Sequence, residues 1–173
     1  METPSHIPEV IVTIGISQML PGQIGLFAAR DLAKHSILAP ASEFEVFHWK
    51  WDELEKLDSI TRERIIGFCV GTPSGFFAPR NLNHISIVWH MNHSCEPNVG
   101  IDEGKNFVLM KDVKAKEELF WDYGFAETNP KFAMSCNCMA KNCRKTITGK
   151  DWEDSEYRRR NIDFFLPSLR NPL

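Results

Sequence analysis

Four cysteines in this chain stand where they could share one metal ion. Cys136, Cys138 and Cys143 form a C-x-C-x4-C cluster, and Cys95 lies earlier, inside Asn92-His93-Ser94-Cys95-Glu96-Pro97-Asn98. Four thiolates complete the tetrahedral set that zinc takes in closed structural sites. Between the two groups runs Glu118-Leu119-Phe120-Trp121-Asp122-Tyr123-Gly124. A metal joining them would clamp the C-terminal tail onto an internal loop and enclose the segment that carries Tyr123. Five cysteines also allow two disulfides and one leftover thiol, but in a reducing compartment the C-x-C spacing favours metal. Cys69, between Phe68 and Val70, reads as a small buried hydrophobe.

The elements that must position these residues belong to one domain. The chain has 173 residues, enough for a real core, and its 43% hydrophobic content is that of an ordinary globular protein. Twenty basic against 23 acidic residues leave a net charge of −3, which argues against nucleic acid as a direct partner and is compatible with a basic peptide. No apolar run reaches the roughly 18 residues of a membrane span. Met1 to Val10 lacks the charged-then-apolar secretory pattern, so a soluble, intracellular protein is expected.

Val10 to Ile16 reads as a strand, Gly22 to Ala28 as a turn entering a second, and Ser36 to Leu38 as a third. Trp51 to Cys69 carries helical spacing, and Asp58-Ser59 can cap a second short helix within it. After the loop Gly71 to Gly75, strands are expected at Phe76–Ala78, Ile85–Trp89 and Glu118–Phe120. Asp102 to Lys105 should turn a hairpin between Val99–Ile101 and Phe107–Lys111. The tail from Trp152 to Leu166 reads as a helix packed over something apolar, with Arg158-Arg159-Arg160 as a solvated face. Many short strands with one helical insertion predict a β-dominated α+β fold.

Together, Asn92 to Asn98, Glu118-Leu119-x-x-Asp122-Tyr123-Gly124 and Cys136-x-Cys138-x4-Cys143-Arg144 resemble a SET-domain protein lysine methyltransferase with a post-SET zinc segment. The resemblance runs from about Val10 to about Gly149. It implies a SET domain over 8–128, a post-SET zinc-binding segment over 129–149 and a tail over 150–173 that packs on the core. The implied fold is a set of small β-sheets with a C-terminal pseudoknot. The implied reaction carries a methyl group from S-adenosylmethionine to the ε-amine of a lysine in a protein or peptide, a histone tail or another protein.

By the same resemblance Tyr123 is catalytic. A buried phenol can help align amine, methyl and sulfur, and alignment is most of the task in this displacement. Asn92 and His93 would bind the cofactor, joined by Ile24, Gly25 and Leu26 from an N-terminal loop, by Tyr123, and by Asn137 and Met139 beside the zinc ligands. Cys95, Cys136, Cys138 and Cys143 would hold a structural Zn2+. Asn98 and Asp122 would secure the knot, and Phe77, Trp121, Phe125 and Trp152 would line the lysine channel.

This chain also departs from the family pattern. Gln23-Ile24-Gly25 replaces the usual G-x-G, and Phe76-Phe77 stand where a channel tyrosine is common. Trp121 precedes Asp-Tyr where Phe or Tyr is frequent. Its missing hydroxyl argues for two or three methyl groups and its bulk for fewer, and the former is preferred. A catalytically idle SET fold that binds a peptide, and a zinc-stabilised scaffold without cofactor, are the alternatives. A histone substrate implies a nuclear location, another substrate a cytoplasmic one. Oligomeric state is left open.

Overall fold

The structure is a computed structural model that describes residues 9–43 and 45–171. The domain start expected at 8, most of the Met1–Val10 stretch and the last two residues of the tail lie outside the described residues.

Strands β1 (Val12–Ile16) and β2 (Ile24–Ala28) form an antiparallel hairpin, with Ile16 opposite Ile24. After β3 (Ile37–Ala39) and β4 (Val46–Lys50) come helices α1 (Trp51–Leu54) and α2 (Ser59–Phe68). The Asp58 side chain accepts the Thr61 N–H and caps α2, as Asp58-Ser59 foretold. The chain continues through β5 (Val70–Thr72), β6 (Gly75–Pro79), β7 (Asn92–His93), β8 (Val99–Ile101), β9 (Phe107–Leu109) and β10 (Glu118–Trp121). It ends with β11 (Ala133–Ser135), β12 (Thr146–Thr148), α3 (Ser155–Asn161) and α4 (Pro167–Arg170).

Three small sheets result. The largest runs β1-β2-β10-β8-β9-β3 with β7 also paired to β10, the second is β4-β6-β5, and β11 pairs with β12. This is the β-dominated set of small sheets the sequence implied. β10 organises it: Leu119 lies opposite Leu26 in an antiparallel pairing, while Trp121 lies opposite both His93 and Val99 in parallel pairings. The loop joining β7 to β8 therefore straddles β10. Asn98 holds it there. Its Nδ2 donates to the Glu118 carbonyl at 2.9 Å and its Oδ1 accepts the Phe120 N–H at 2.8 Å. A side-chain amide offers a donor and an acceptor in one plane, as bracketing a strand requires.

The main core gathers Leu26, Val88, Val99, Leu109 and Leu119. A second cluster lies under α2 around Leu54, Ile65 and Phe76, a third surrounds the cysteines, and a fourth joins Phe125, Tyr157 and Phe165.

Three expectations change. Ile85–Trp89 is not a strand: Ile87–His90 is a 3-10 turn in which Trp89 N–H bonds to Ser86 and Met91 N–H to Val88. A continuous apolar run fits either conformation, and burying Val88 within the main core selects the turn. The tail is broken into α3, α4 and two short 3-10 turns rather than forming one helix. Arg158 is not solvated: its guanidinium donates to the carbonyls of Trp152, Leu169 and Arg170, while Arg159 and Arg160 remain exposed.

Candidate active site and metal centre

Tyr123 follows β10 in a 3-10 turn, Tyr123–Phe125, capped by the Asp122 carboxylate, which accepts the Gly124 N–H at 3.0 Å. Its phenol donates to the Met91 carbonyl at 3.2 Å. Burial pushes the phenol pKa up to about 12, so Tyr123 stays protonated at neutral pH and serves as a donor rather than a base.

The Tyr123 N–H donates to His93 Nδ1 at 3.2 Å. That bond makes Nδ1 the acceptor, so the neutral ring carries its proton on Nε2, which lies 3.5 Å from Cys95 Sγ. Burial lowers the His93 pKa to about 4, outweighing the attraction of the Asp122 carboxylate. His93 thus bridges the cysteine cluster and the backbone of Tyr123.

Asp122 is 1% exposed and meets Arg144 in a two-pronged pair, Nη1–Oδ2 2.8 Å and Nη2–Oδ1 2.6 Å. Arg144 Nε lies 3.0 Å from Asp151 Oδ2, and the guanidinium sits 4.5 Å over the Tyr157 ring. One residue after the last cysteine, the tail is therefore pinned to the residue just before Tyr123.

The four cysteine sulfurs lie within 4.8 Å of one another, with Cys95 and Cys136 at 3.9 Å. A zinc–sulfur bond of about 2.3 Å gives a tetrahedron with edges of about 3.8 Å, so the cluster fits a metal ion. The Cys95 N–H donates to Cys138 Sγ and the Arg144 N–H to Cys95 Sγ, both at 3.4 Å. Such bonds favour thiolates.

Tyr123 also lines two small cavities, of about 120 and about 80 Å3, which share Phe68, Val70, Trp89, Trp121 and Tyr123 as walls. Glu127 and Phe132 are among the further walls of the larger, Met91 and Phe107 among those of the smaller. The Trp121 indole N–H is buried without an acceptor among the described residues.

The residues expected to hold the cofactor fall into two groups. Ile24, Gly25, Leu26, Asn92, His93 and Tyr123 converge across β2, β7 and the end of β10: Asn92 Nδ2 donates to the Ile24 carbonyl at 2.9 Å and to Glu118 Oε1 at 3.2 Å. Asn137 and Met139 lie exposed beside their neighbouring cysteines, Met139 at 80%. Gly25 has a packing reason of its own, because a Cβ there would collide with the Glu118 carboxylate.

Of the four expected channel residues, Trp121 alone reaches the cavities. Phe125 is instead fully buried in the fourth core cluster, with ring centroids 5.4 Å from Phe165 and 6.2 Å from Tyr157, because the space under α3 must be filled. Trp152 packs at the edge of that cluster and donates its N–H to the Gly149 carbonyl. Phe77 points outward beside His48, since strand alternation sends its neighbours Phe76 and Ala78 into the core. Sequence reasoning missed Phe68, Trp89 and Glu127 as cavity walls and Arg144 as the clamp on Asp122. The Cys143-Arg144 dipeptide beside a buried Asp was the available signal for the last.

The SET domain family model matches residues 23–124, more than half of the chain. Over 69 residues, 33% of this chain, it is 39% identical to human histone-lysine N-methyltransferase SETDB2, covering 10% of that protein. Over 129 residues, 70% of this chain, it is 27% identical to the Drosophila melanogaster histone-lysine N-methyltransferase trr, covering 5% of it. Human histone-lysine N-methyltransferase 2B is 36% identical over 71 residues, 37% of this chain and 3% of that protein. The chain thus spans a tenth or less of the length of these relatives. The family match runs from the turn before β2 to the glycine after Tyr123, across every strand that positions the phenol, and the chain belongs to the SET domain family.

Proposed function

We propose that the protein transfers methyl groups from S-adenosylmethionine to the ε-amine of a lysine in a protein substrate. One observation carries this reading: the phenol of Tyr123 and the carbonyl of Met91 meet at 3.2 Å beside cavities walled by Phe68, Trp89 and Trp121. Two oxygens converging beside an apolar, aromatic space suit a cationic methyl, which C–H···O contacts can hold and orient. The residues present therefore fit the cofactor.

Bound there, S-adenosylmethionine would supply an electrophilic methyl on a sulfonium. Ile24, Gly25, Leu26, Asn92 and His93 would hold it, with Asn137 and Met139 closing over it from the post-SET segment 129–149. The nucleophile must be a neutral amine, although free lysine titrates at about 10.4. Aromatic walls strip water from the lysine, and burial favours its neutral form. Tyr123, held protonated, orients the reacting groups and takes no proton, so the entering lysine would give its proton to solvent before its nitrogen bonds the methyl and the methyl–sulfur bond breaks. His93 fixes the Tyr123 backbone, and the four cysteines with Zn2+ order the tail on which Asn137 and Met139 stand.

Trp121 offers no hydroxyl to the cavity, which favours two or three methyl groups. The names of the relatives favour a histone substrate, and with it a nuclear location. No helix among the described residues is long and apolar enough to cross a membrane. Purified protein incubated with methyl-labelled S-adenosylmethionine, core histones and a soluble lysate tests the reading. Label on protein lysines is expected, with mass spectrometry showing di- or trimethyl-lysine. Cofactor binding without label in either mixture would point to an idle binding fold instead.

A further inference from the structure

Glu127 is an acidic residue buried without a cationic side-chain partner among the described residues. The residue is 5% exposed, yet no lysine, arginine or histidine pairs with its carboxylate among the described residues. Burying an ionised carboxylate is costly unless the charge is compensated. Partial compensation comes from the backbone: Oε2 accepts the Gly71 N–H at 2.7 Å and Oε1 the Asn129 N–H at 2.8 Å. Gly71 is cut to fit, since a Cβ there would lie 2.6 Å from Oε1. Each oxygen keeps a lone pair beyond these bonds. Burial still pushes the carboxyl above its ordinary range.

Glu127 also lines the larger cavity at Tyr123, where it is the sole charged wall residue among the described residues. The other walls include Phe68, Trp89, Trp121 and Phe132. Aromatic faces with one carboxylate attract an organic cation, and do so more strongly where water is excluded.

We propose that Glu127 is a specificity-determining residue whose carboxylate receives the substrate lysine as it enters the aromatic cavity beside Tyr123 as an ammonium, before the lysine loses the proton that must be gone for methyl transfer. The site selects a long aliphatic cation over a neutral chain of the same length. It rests on the lysine-methyltransferase reading for its biological meaning, but its binding chemistry can be measured without turnover.

Two probes, Nα-acetyl-lysine methylamide and the isosteric 2-aminoheptanoic acid derivative, in which a methyl group replaces the ammonium, are titrated into the full chain purified with zinc. Binding is followed by the side-chain resonance of Trp121 and, in glutamate-labelled protein, by the Glu127 carboxyl carbon. Wild type is expected to bind the lysine probe at least tenfold more tightly than the 2-aminoheptanoic acid probe, and the Glu127 carboxyl resonance to move with the lysine probe alone. Glu127→Gln is expected to bring the two affinities within about twofold of each other. A purely structural role would weaken both probes together. Equal affinities in wild type, a silent Glu127 resonance, or a folded Glu127→Gln variant that keeps its tenfold preference would overturn the proposal. Both wild-type readouts stand if that variant does not fold. Lysine preference without methyl transfer to any protein would sink the enzymatic reading and leave this site intact, and the reverse result would sink this site alone.

Discussion

Replacing Arg144 with methionine should unfold the site from the tail inward. The side chain makes two bonds to Asp122, at 2.8 and 2.6 Å, and faces Asp151 at 3.0 Å. Methionine keeps much of the aliphatic stem and removes the charge, leaving the 1% exposed Asp122 carboxylate with the Gly124 N–H as its remaining hydrogen-bond donor among the described residues. Breaking a buried pair from one side costs about 3–5 kcal/mol. The Arg144 side chain is 22% exposed, so water can enter, and about 3 kcal/mol is the better figure. For a domain of this size that is a fall in Tm of about 6–12 °C. Thermal and urea unfolding with saturating zinc measure it. Arg144→Met combined with Asp122→Asn should cost at least about 1 kcal/mol less than the sum of the single changes, because the stranded charge is gone. A loss below about 1 kcal/mol for Arg144→Met, or strict additivity in the double variant, would refute the claim that this pair pins the tail to the Tyr123 turn.

Other perturbations separate the parts of the site. Gly25→Ala should destabilise by about 1–3 kcal/mol through collision with the Glu118 carboxylate, read as a lower urea midpoint with unchanged slope. Removing metal with a chelator should release the β11–β12 hairpin, seen as faster amide exchange at Met134 and Ile147 while Leu119 stays protected. Of the two tyrosines of the chain Tyr157 is buried and Tyr123 half-buried, both with raised pKa values, Tyr123 to about 12, so tyrosinate absorbance should stay low until the pH passes about 11. The sign for stability follows: the folded chain keeps phenol protons that the unfolded chain has released above about pH 10, so stability falls as the pH rises from about 10 to 12. A tyrosinate signal at pH 10 in folded protein would contradict the buried phenol.

Much of this was legible in the sequence, for definite reasons. The four cysteines were readable because ligand chemistry demands particular residue types, and the fold needed only to bring Cys95 to the others. The hairpin at Asp102–Lys105 was readable from its turn residues, and Lys105 does take the left-handed conformation, with φ 62°. The helix cap at Asp58 is equally local. What was lost depended on tertiary packing. Phe77, Phe125 and Trp152 have the same chemistry as true cavity walls, and only strand alternation on β6 and the demand for volume under α3 send them elsewhere. Phe68 and Trp89 reach the cavity from α2 and from a turn that reads as a strand in sequence. The strand β4 was missed because its half-exposed run Val46–Lys50 shows no clean alternation. Arg158 looked like one of three solvated arginines until the broken tail supplied three carbonyls for it to cap.

The most direct test of the central claim, that the Tyr123 phenol orients methyl transfer to lysine, is a paired turnover assay of wild type and Tyr123→Phe on core histones with labelled S-adenosylmethionine. Calorimetry of cofactor binding and zinc content serve as controls. The loss of one neutral hydrogen bond to Met91 should cost about 1 kcal/mol of stability and leave the protein folded. The account predicts robust lysine labelling by wild type and a fall of about a hundredfold or more in the variant, with cofactor affinity changed only slightly. Equal labelling by the two proteins would contradict the role given to Tyr123, and no labelling by a zinc-loaded, cofactor-binding wild type on histones or lysate would contradict the proposed activity itself.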